Sequence, residues 1–377
     1  MSMNEMTKIR QNFPILQEKI QLSSCSQSAM HKDIEEAVNT YLDAWKTKGM
    51  DWGGWMQACE HARKEFAEMI NAEVDEVAIV SSVSHAVSSI AASLDPTDRN
   101  KVLITDFDFP TVGHVWQSFM DQYQIQFLDS HQDGTLNLED YKQNIDEQTL
   151  VVNTSHISFY NGFKQNLKEI AKEVHQKGAY FFVDAYQSLG QTPIDVKEMN
   201  VDFLASGLQK YALGAPGIAF LYVKKDIAEQ LTPKVTGWFG QDNPFAFDIK
   251  NITYAEGAKR FDSGTFPMIN GFAAEAGLTI LNQYNMEEIE EHLQHLSKAT
   301  MEEADHYGLT IKSPRDVSLK GSNTAIYAEN ASEVEQQMAQ RGYIVSARND
   351  VIRIAPHFYN TEADVRSAVQ ELSKLMK

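Results

Sequence analysis

Residues 179–210 read AYFFVDAYQSLGQTPIDVKEMNVDFLASGLQK. Two short apolar runs stand in it. The first closes on a carboxylate, Asp184, and the second is followed closely by a lysine, Lys210. Apolar runs without alternation predict strands buried on both faces, the habit of parallel sheets flanked by helices. The pattern repeats outward in both directions: VAIV at Val77, KVLIT at Lys101, IQFL at Ile125, LVVNT at Leu150, then GIAFLYV at Gly217, with helix-like mixtures between most of them. The fold expected is α/β, with a mostly parallel sheet covered by helices. Helical spacing is clearest from Asp33 to Gly49 and again around Ala58, Cys59, Ala62, Phe66, Met69 and Ile70.

After about Phe261 the pattern changes. A long helical region, 271–306, precedes short strand-like runs near Leu309, Ala325, Tyr343 and Val351 and a last helix from Thr361. This predicts a smaller α+β unit. The organisation expected is an N-terminal segment over 1–20 packing on the small unit, a large domain over 21–262 and a small C-terminal domain over 263–377.

The chain has 377 residues, with 33 Lys and Arg against 52 Asp and Glu, a net charge of −19. Such acidity argues against a nucleic-acid partner, whose phosphates need Lys and Arg. Apolar residues at 43% and charged ones at 23% fit a globular chain and not a disordered one. No apolar run approaches the roughly 20 residues of a membrane span. The start, MSMNEMTKIRQNF, lacks an apolar signal region, so a cytoplasmic location is expected. Cys25 and Cys59 are too few for a disulfide framework or thiolate metal cage. His292 and His295 have ligand-like spacing on a helix but lack a placed third ligand, so they read as exposed histidines and no metal is expected.

In an open α/β sheet, ligands lie beyond the carboxyl ends of the strands. Four such ends carry chemistry. Asp184 is a carboxylate that burial would make costly without a partner. Lys210, in SGLQKYALGAPG, sits among small and apolar neighbours, and a desolvated lysine can form a Schiff base with an aldehyde. SSVSHAVSSIAA from Ser81 opens a helix after VAIV, where free N–H groups and hydroxyls attract phosphate. Phe109, held by Pro110 in DFDFPTVGHVW, offers a ring for stacking on a flat heterocycle. A phosphate cradle, a ring stacker, a carboxylate for a pyridinium nitrogen and an aldehyde-binding lysine together suit pyridoxal 5'-phosphate. Arg353, inside the apolar stretch IRIAPHFYNT, is suited to bidentate carboxylate recognition.

VDAYQSLGQTPIDV followed by the D-F-x-x-x-x-x-x-K spacing resembles the class V aminotransferase family of fold-type I pyridoxal-phosphate enzymes, which includes cysteine desulfurases, kynureninases and isopenicillin-epimerase-like proteins. The resemblance runs from about Leu22 to the C-terminus. It implies that Lys210 binds the cofactor aldehyde and that Asp184 partners the pyridine nitrogen. Gln187 would then lie near the phenolic oxygen and Phe109 would stack on the ring, with Val83 and Ser84 holding the phosphate. Gln209 stands where relatives place a His or Tyr that touches the phosphate. Ser206 is a further cofactor-binding candidate, one residue out of register with the desulfurase serine. Thr265, in FDSGTFP, matches a G-T pair that reaches the neighbouring subunit's phosphate and implies a homodimer with a shared site. Arg353 would bind the substrate carboxylate.

The resemblance further implies an amino-acid substrate activated at Cα and an outcome of transamination or Cβ cleavage. Racemisation or epimerisation, and a cofactor-binding regulatory protein without turnover, remain alternatives. The loop YIVSARNDVIRI lacks the mobile cysteine of desulfurases, so a persulfide route is not expected. GWFGQ at Gly237, WGGW at Trp52 and Phe109-Pro110-Thr111 resemble the kynureninase-like branch, although Val112 replaces the acidic residue expected there. Trp52, Trp55, Trp238 and Phe239 either line an apolar pocket for a hydrophobic or aromatic side chain or serve ordinary packing. Cys59 reads as core packing, and Cys25 has no chemistry assigned.

Overall fold

The structure, a computed structural model, describes residues 3–376. Of the segment expected over 1–20, residues 1 and 2 lie outside the described residues, as does residue 377 of the small unit. Seven apolar runs form one sheet: β1 (Val77–Val80), β2 (Lys101–Thr105), β3 (Gln124–Leu128), β4 (Thr149–Ser155), β5 (Tyr180–Asp184), β6 (Phe203–Gly207) and β7 (Ala219–Val223). Their spatial order is β1-β7-β6-β5-β4-β2-β3. Strands β2 to β6 pair in parallel, while β7 runs antiparallel to both its neighbours. Six of the seven strands are buried along almost their whole length, which explains their unalternated sequences. The exception is β3, an edge strand with Gln124 and Phe127 exposed. A polar edge discourages pairing with another chain.

Helices cover the sheet. Those that position the site are α1 (Lys32–Lys48), α2 (Trp52–Met69), α3 (Val83–Ala91), α4 (Pro110–Ser118), α5 (Met268–Leu281), α6 (Met286–His306) and α7 (Glu362–Leu375). The single helical region expected over 271–306 is two helices, because Asn285 caps α6 by accepting the Glu288 N–H and so starts a new element. Helices α2 and α5 approach closely at Gly271, where a Cβ would lie 2.5 Å from the Cys59 sulfur. Cys59 is fully buried there, and burial pushes its thiol up to about 12, an inert packing role.

Arg63 of α2 forms a buried ion pair with Asp262 at 2.7 Å, and Asp262 also accepts the Ile79 N–H of β1. Arg63 also pairs with Glu60 at 3.0 Å, whereas Asp262 would be left a buried, unpaired charge if Arg63 were removed, so this pair fastens the 257–262 segment to the sheet.

The C-terminal part holds a second sheet, β8 (Thr324–Tyr327), β9 (Ser346–Arg348) and β10 (Val351–Ile354), antiparallel in the order β9-β10-β8. The run near Leu309 makes only an isolated bridge, Ile311 to Ile326. The N-terminal segment attaches here: Ile20–Gln21 pairs in parallel with Tyr343–Ile344, and Arg10 bonds Asp364 of α7 at 2.6 Å. The Ala355 N–H donates to the Leu22 carbonyl and the Ser24 N–H donates to that of Ala355, which carries residues 23–28 alongside β10. No described helix is long and apolar enough to cross a membrane.

Candidate active site

The carboxyl ends of β4, β5 and β6 lie in register, with Ser155 opposite Asp184 and Asp184 opposite Ala205. Asp184 is buried, and its carboxylate accepts a single hydrogen bond among the described residues, from the Tyr186 N–H at 2.8 Å. Burial raises its pKa, opposed by the Tyr186 N–H and the charge of Lys210. A carboxylate so placed is short of a cationic or N–H partner.

Lys210 follows β6 after a short turn and is 9% exposed. Its amine lies 4.1 Å from the centre of the Tyr186 ring and 5.5 Å from that of Phe109. Desolvation lowers its pKa to about 8, with Arg353 and Arg348 adding to the effect and Asp184 opposing it. An amine in that range is a far better nucleophile and proton carrier near neutral pH than an exposed lysine. A cavity of about 230 Å³ opens beside it, bordered by Phe109, Phe159, Gln187, Gln209 and Arg353. Gln187 and Gln209 donate to the carbonyls of Cys25 (3.0 Å) and Ser26 (3.2 Å), so the 23–28 loop is pinned over the lysine.

Phe109 is 40% exposed and ends the turn before Pro110, at the start of α4, with its ring edge-on to Phe159 at 5.2 Å. Two residues further on, the Thr111 hydroxyl meets that of Ser84 at 2.5 Å, which joins the first turns of α3 and α4. Ser82 caps α3 by accepting the His85 N–H, and the N–H groups of Val83 and Ser84 have no acceptor among the described residues. Two free donors, two hydroxyls and two converging helix N-termini make an anion cradle.

Arg353 occupies the central strand β10 with no exposure at all. Its guanidinium donates to the Phe159 carbonyl at 2.7 Å and to the Ser26 and Ser346 hydroxyls at 2.8 and 2.6 Å. Its Nε is buried without an acceptor, and no carboxylate pairs with it among the described residues. A buried guanidinium held only by neutral acceptors is prepared for an anion.

Ser206 does not join this group. Strand alternation turns it away from the face on which Gly207 meets the Tyr186 ring, and its hydroxyl donates to the Gly207 and Ala185 carbonyls. A Cβ at Gly207 would lie 2.3 Å from that ring, so glycine is required there. Thr265, three residues after Asp262, is exposed and makes no hydrogen bond among the described residues. The aromatic residues expected to line a substrate pocket pack elsewhere. Trp52 meets Trp238 at 6.0 Å, Phe239 stacks on Phe266 at 4.5 Å, and Trp55 packs on Tyr41. Trp238 borders a separate hollow of about 640 Å³ within 236–253 that contains none of the chemistry described above. His292 is half-buried rather than exposed, bonding the Asn360 carbonyl, while His295 pairs with Glu362. Among the described residues no cluster of three or more metal-ligating side chains occurs.

Sequence reasoning missed several participants. Thr111 and Tyr186 each lie two residues after one it had singled out, Phe109 and Asp184, so proximity in the chain was the available signal, whereas Phe159 had only the apolar run LVVNT before it. For Cys25 and Ser26 the signal was the resemblance of SSCSQSAM to a substrate-facing loop of relatives, but their contacts depend on the pairing of the N-terminal segment beside β10.

The described residues fit pyridoxal 5'-phosphate: a buried carboxylate short of a cationic partner, an anion cradle, a ring beside it and a lysine of lowered basicity. The fold and site thus define a pyridoxal-phosphate enzyme. The family model described as Aminotransferase class-V matches residues 32–367, and the chain belongs to that family. It is 42% identical over 364 residues, 97% of this chain and 96% of its relative, to a Bacillus subtilis (strain 168) protein named uncharacterized aminotransferase YcbU. A kynureninase of Bacillus anthracis is 26% identical over 95% of this chain and 88% of its own. An apo cysteine desulfurase from Thermococcus onnurineus NA1 superposes with a TM-score of 0.88, at 21% identity over 98% of both chains, a likeness of fold.

Proposed function

We propose that this enzyme acts on a free α-amino acid, holding its carboxylate at Arg353 with its amine beside Lys210, and changes bonds at Cα in a transamination. The observation that carries this reading is the single cavity shared by an amine of lowered pKa and an unpaired buried guanidinium. When bound, pyridoxal 5'-phosphate supplies an aldehyde carbon and a ring that accepts charge from Cα. Lys210 would bind it, Asp184 would face and keep the proton on its ring nitrogen, and Phe109 would cover one face. Gln187 would lie at the phenolic oxygen. Val83, Ser84 and Thr111 would take the phosphate, with Gln209 nearby. Lys210, poised near neutrality, then moves the proton at Cα.

The name of the Bacillus subtilis relative supports transamination. Cleavage at Cβ is the second reading, favoured by Phe109-Pro110-Thr111 and the kynureninase relative. A persulfide route is not part of the proposal: the hairpin of β9 and β10 has no cysteine, and Cys25, though at the cavity, is 1% exposed. Adding single amino acids to the loaded enzyme and identifying products separates the readings. A keto acid with amine retained on the cofactor is expected; alanine release would favour Cβ cleavage, and inverted substrate alone would favour racemisation. A spectrum unmoved by every amino acid would overturn the proposal.

The reading includes a large unit over 21–262, a small one over 263–377 and a homodimer in which Thr265 reaches the partner's phosphate. The exposure of Phe247, Ile249 and Ile252 on the preceding segment supports a covering second copy. Sedimentation should give a dimer, and Thr265→Ala should weaken cofactor retention roughly tenfold, the loss of one hydrogen bond to a charged group. A monomer that retains cofactor fully would refute this part.

A further inference from the structure

One cation in the cavity has no task in the reaction as read above. Arg348 ends β9 and borders the same cavity as Lys210 and Arg353. Arg353 is held by three neutral acceptors, whereas the Arg348 side chain makes no hydrogen bond or ion pair among the described residues. Its Nε is buried and lacks an acceptor. Burial and the charge of Arg353 lower its pKa, and Glu335, which acts in the opposite direction, is bonded instead to the Ala347 N–H at 3.1 Å. Three cations, Lys210, Arg348 and Arg353, thus converge with one carboxylate, Asp184, in a chain of net charge −19. A buried guanidinium and a half-buried one, neither paired with a carboxylate among the described residues, suit an anion brought by a ligand.

Sheet geometry sets the spacing. Ser346 lies directly opposite Arg353, and Arg348 is two residues further along β9, on the same face as Ser346. A diagonal pair of this kind stands about 7–8 Å apart at the backbone. Two guanidiniums so placed can grip the two ends of a compact dianion of four or five carbons, one group each.

We propose that Arg348 is the specificity residue of the site, receiving an acidic group on the substrate's side chain, so that the preferred substrates are short amino acids with an anionic side chain. This replaces the hydrophobic side chain expected from the sequence, whose aromatic lining packs elsewhere. The inference rests on the amino-acid reading above.

The test uses non-reacting probes as well as substrates. Calorimetry on the cofactor-loaded protein should show succinate or glutarate binding at least tenfold more tightly than butyrate. Arg348→Gln should remove that preference, and Arg348→Lys should restore part of it. In the same variant the ratio of kcat/KM for aspartate or glutamate to that for alanine or norvaline should fall roughly 10- to 100-fold, the loss of a charge-assisted bond. Equal binding of the three probes by the unaltered protein, or a ratio unchanged in Arg348→Gln, would overturn the inference. The visible absorbance of the cofactor reports separately on the amino-acid reading: dicarboxylate preference without any spectral response would sink that reading and leave the anion pair standing.

Discussion

Lys210→Ala protein is expected to lose the visible absorption of the bound cofactor and to turn over amino acids roughly 10³-fold more slowly or worse, the middle of the range for a group that moves a proton in the transition state. Two losses combine in that number. The variant has no amine to hold the aldehyde, and it loses the group that would move the proton at Cα: the Tyr186 phenol beside the amine is pushed up to about 12 by burial and is no substitute base near neutral pH. The same lysine predicts a pH dependence. Its folded-state pKa is depressed to about 8 from the usual 10.5, so the amine is mostly protonated below pH 8 and mostly free above it. Capture of pyridoxal 5'-phosphate by the apo-protein should therefore quicken as pH rises through about 8 and level off beyond. A rate still climbing steeply near pH 10 would mean that Lys210 is not desolvated. Retained visible absorption in Lys210→Ala, or trapping of the cofactor on another lysine by borohydride, would show the wrong residue was chosen.

Arg353→Ala should lower kcat/KM for amino-acid substrates by about 30- to several-thousand-fold, the equivalent of roughly 2–5 kcal/mol for truncating one member of a buried charged contact. The guanidinium is fully buried, so its attraction for a carboxylate is screened far less than on the surface. Cofactor absorbance should survive the change, because none of the groups assigned to the cofactor bonds to Arg353. The Ser26 and Ser346 hydroxyls lose a donor but keep each other at 2.8 Å, which limits the structural damage. Simple amines, which bring no carboxylate, should be affected little. An equal loss for amines and amino acids would place the carboxylate site elsewhere.

Much of this was legible before any coordinates, for a physical reason common to the legible residues. Asp184 and Arg353 are charges in apolar strands, and Lys210 stands among small and apolar residues just after one. Such charges are expensive unless a ligand or partner meets them, so their chemistry is announced by their immediate neighbours. Phe109 and Ser84 were legible because each follows an apolar run, where a parallel sheet presents its ligand-binding end. Ser206 failed the same local test: one step of strand alternation reverses the face a side chain takes, and only the Gly207–Tyr186 contact reveals which face is used. For the tryptophans sequence left pocket and packing both open, and packing is what they do, because apolar rings pack against whatever is near.

By itself, then, the chain determined its seven-stranded, mostly parallel sheet and the charged residues beyond its strand ends, since burial on both faces demands unalternated apolar runs and punishes an unpaired charge within a few residues of where it occurs. Tertiary structure alone decided that Ser26 would brace Arg353 across more than three hundred residues, that Thr111 would meet Ser84, and that Arg348 would be left without a partner. Those facts depend on which distant segment arrives at each side chain, and a guanidinium reads the same in sequence whether a carboxylate waits for it or not.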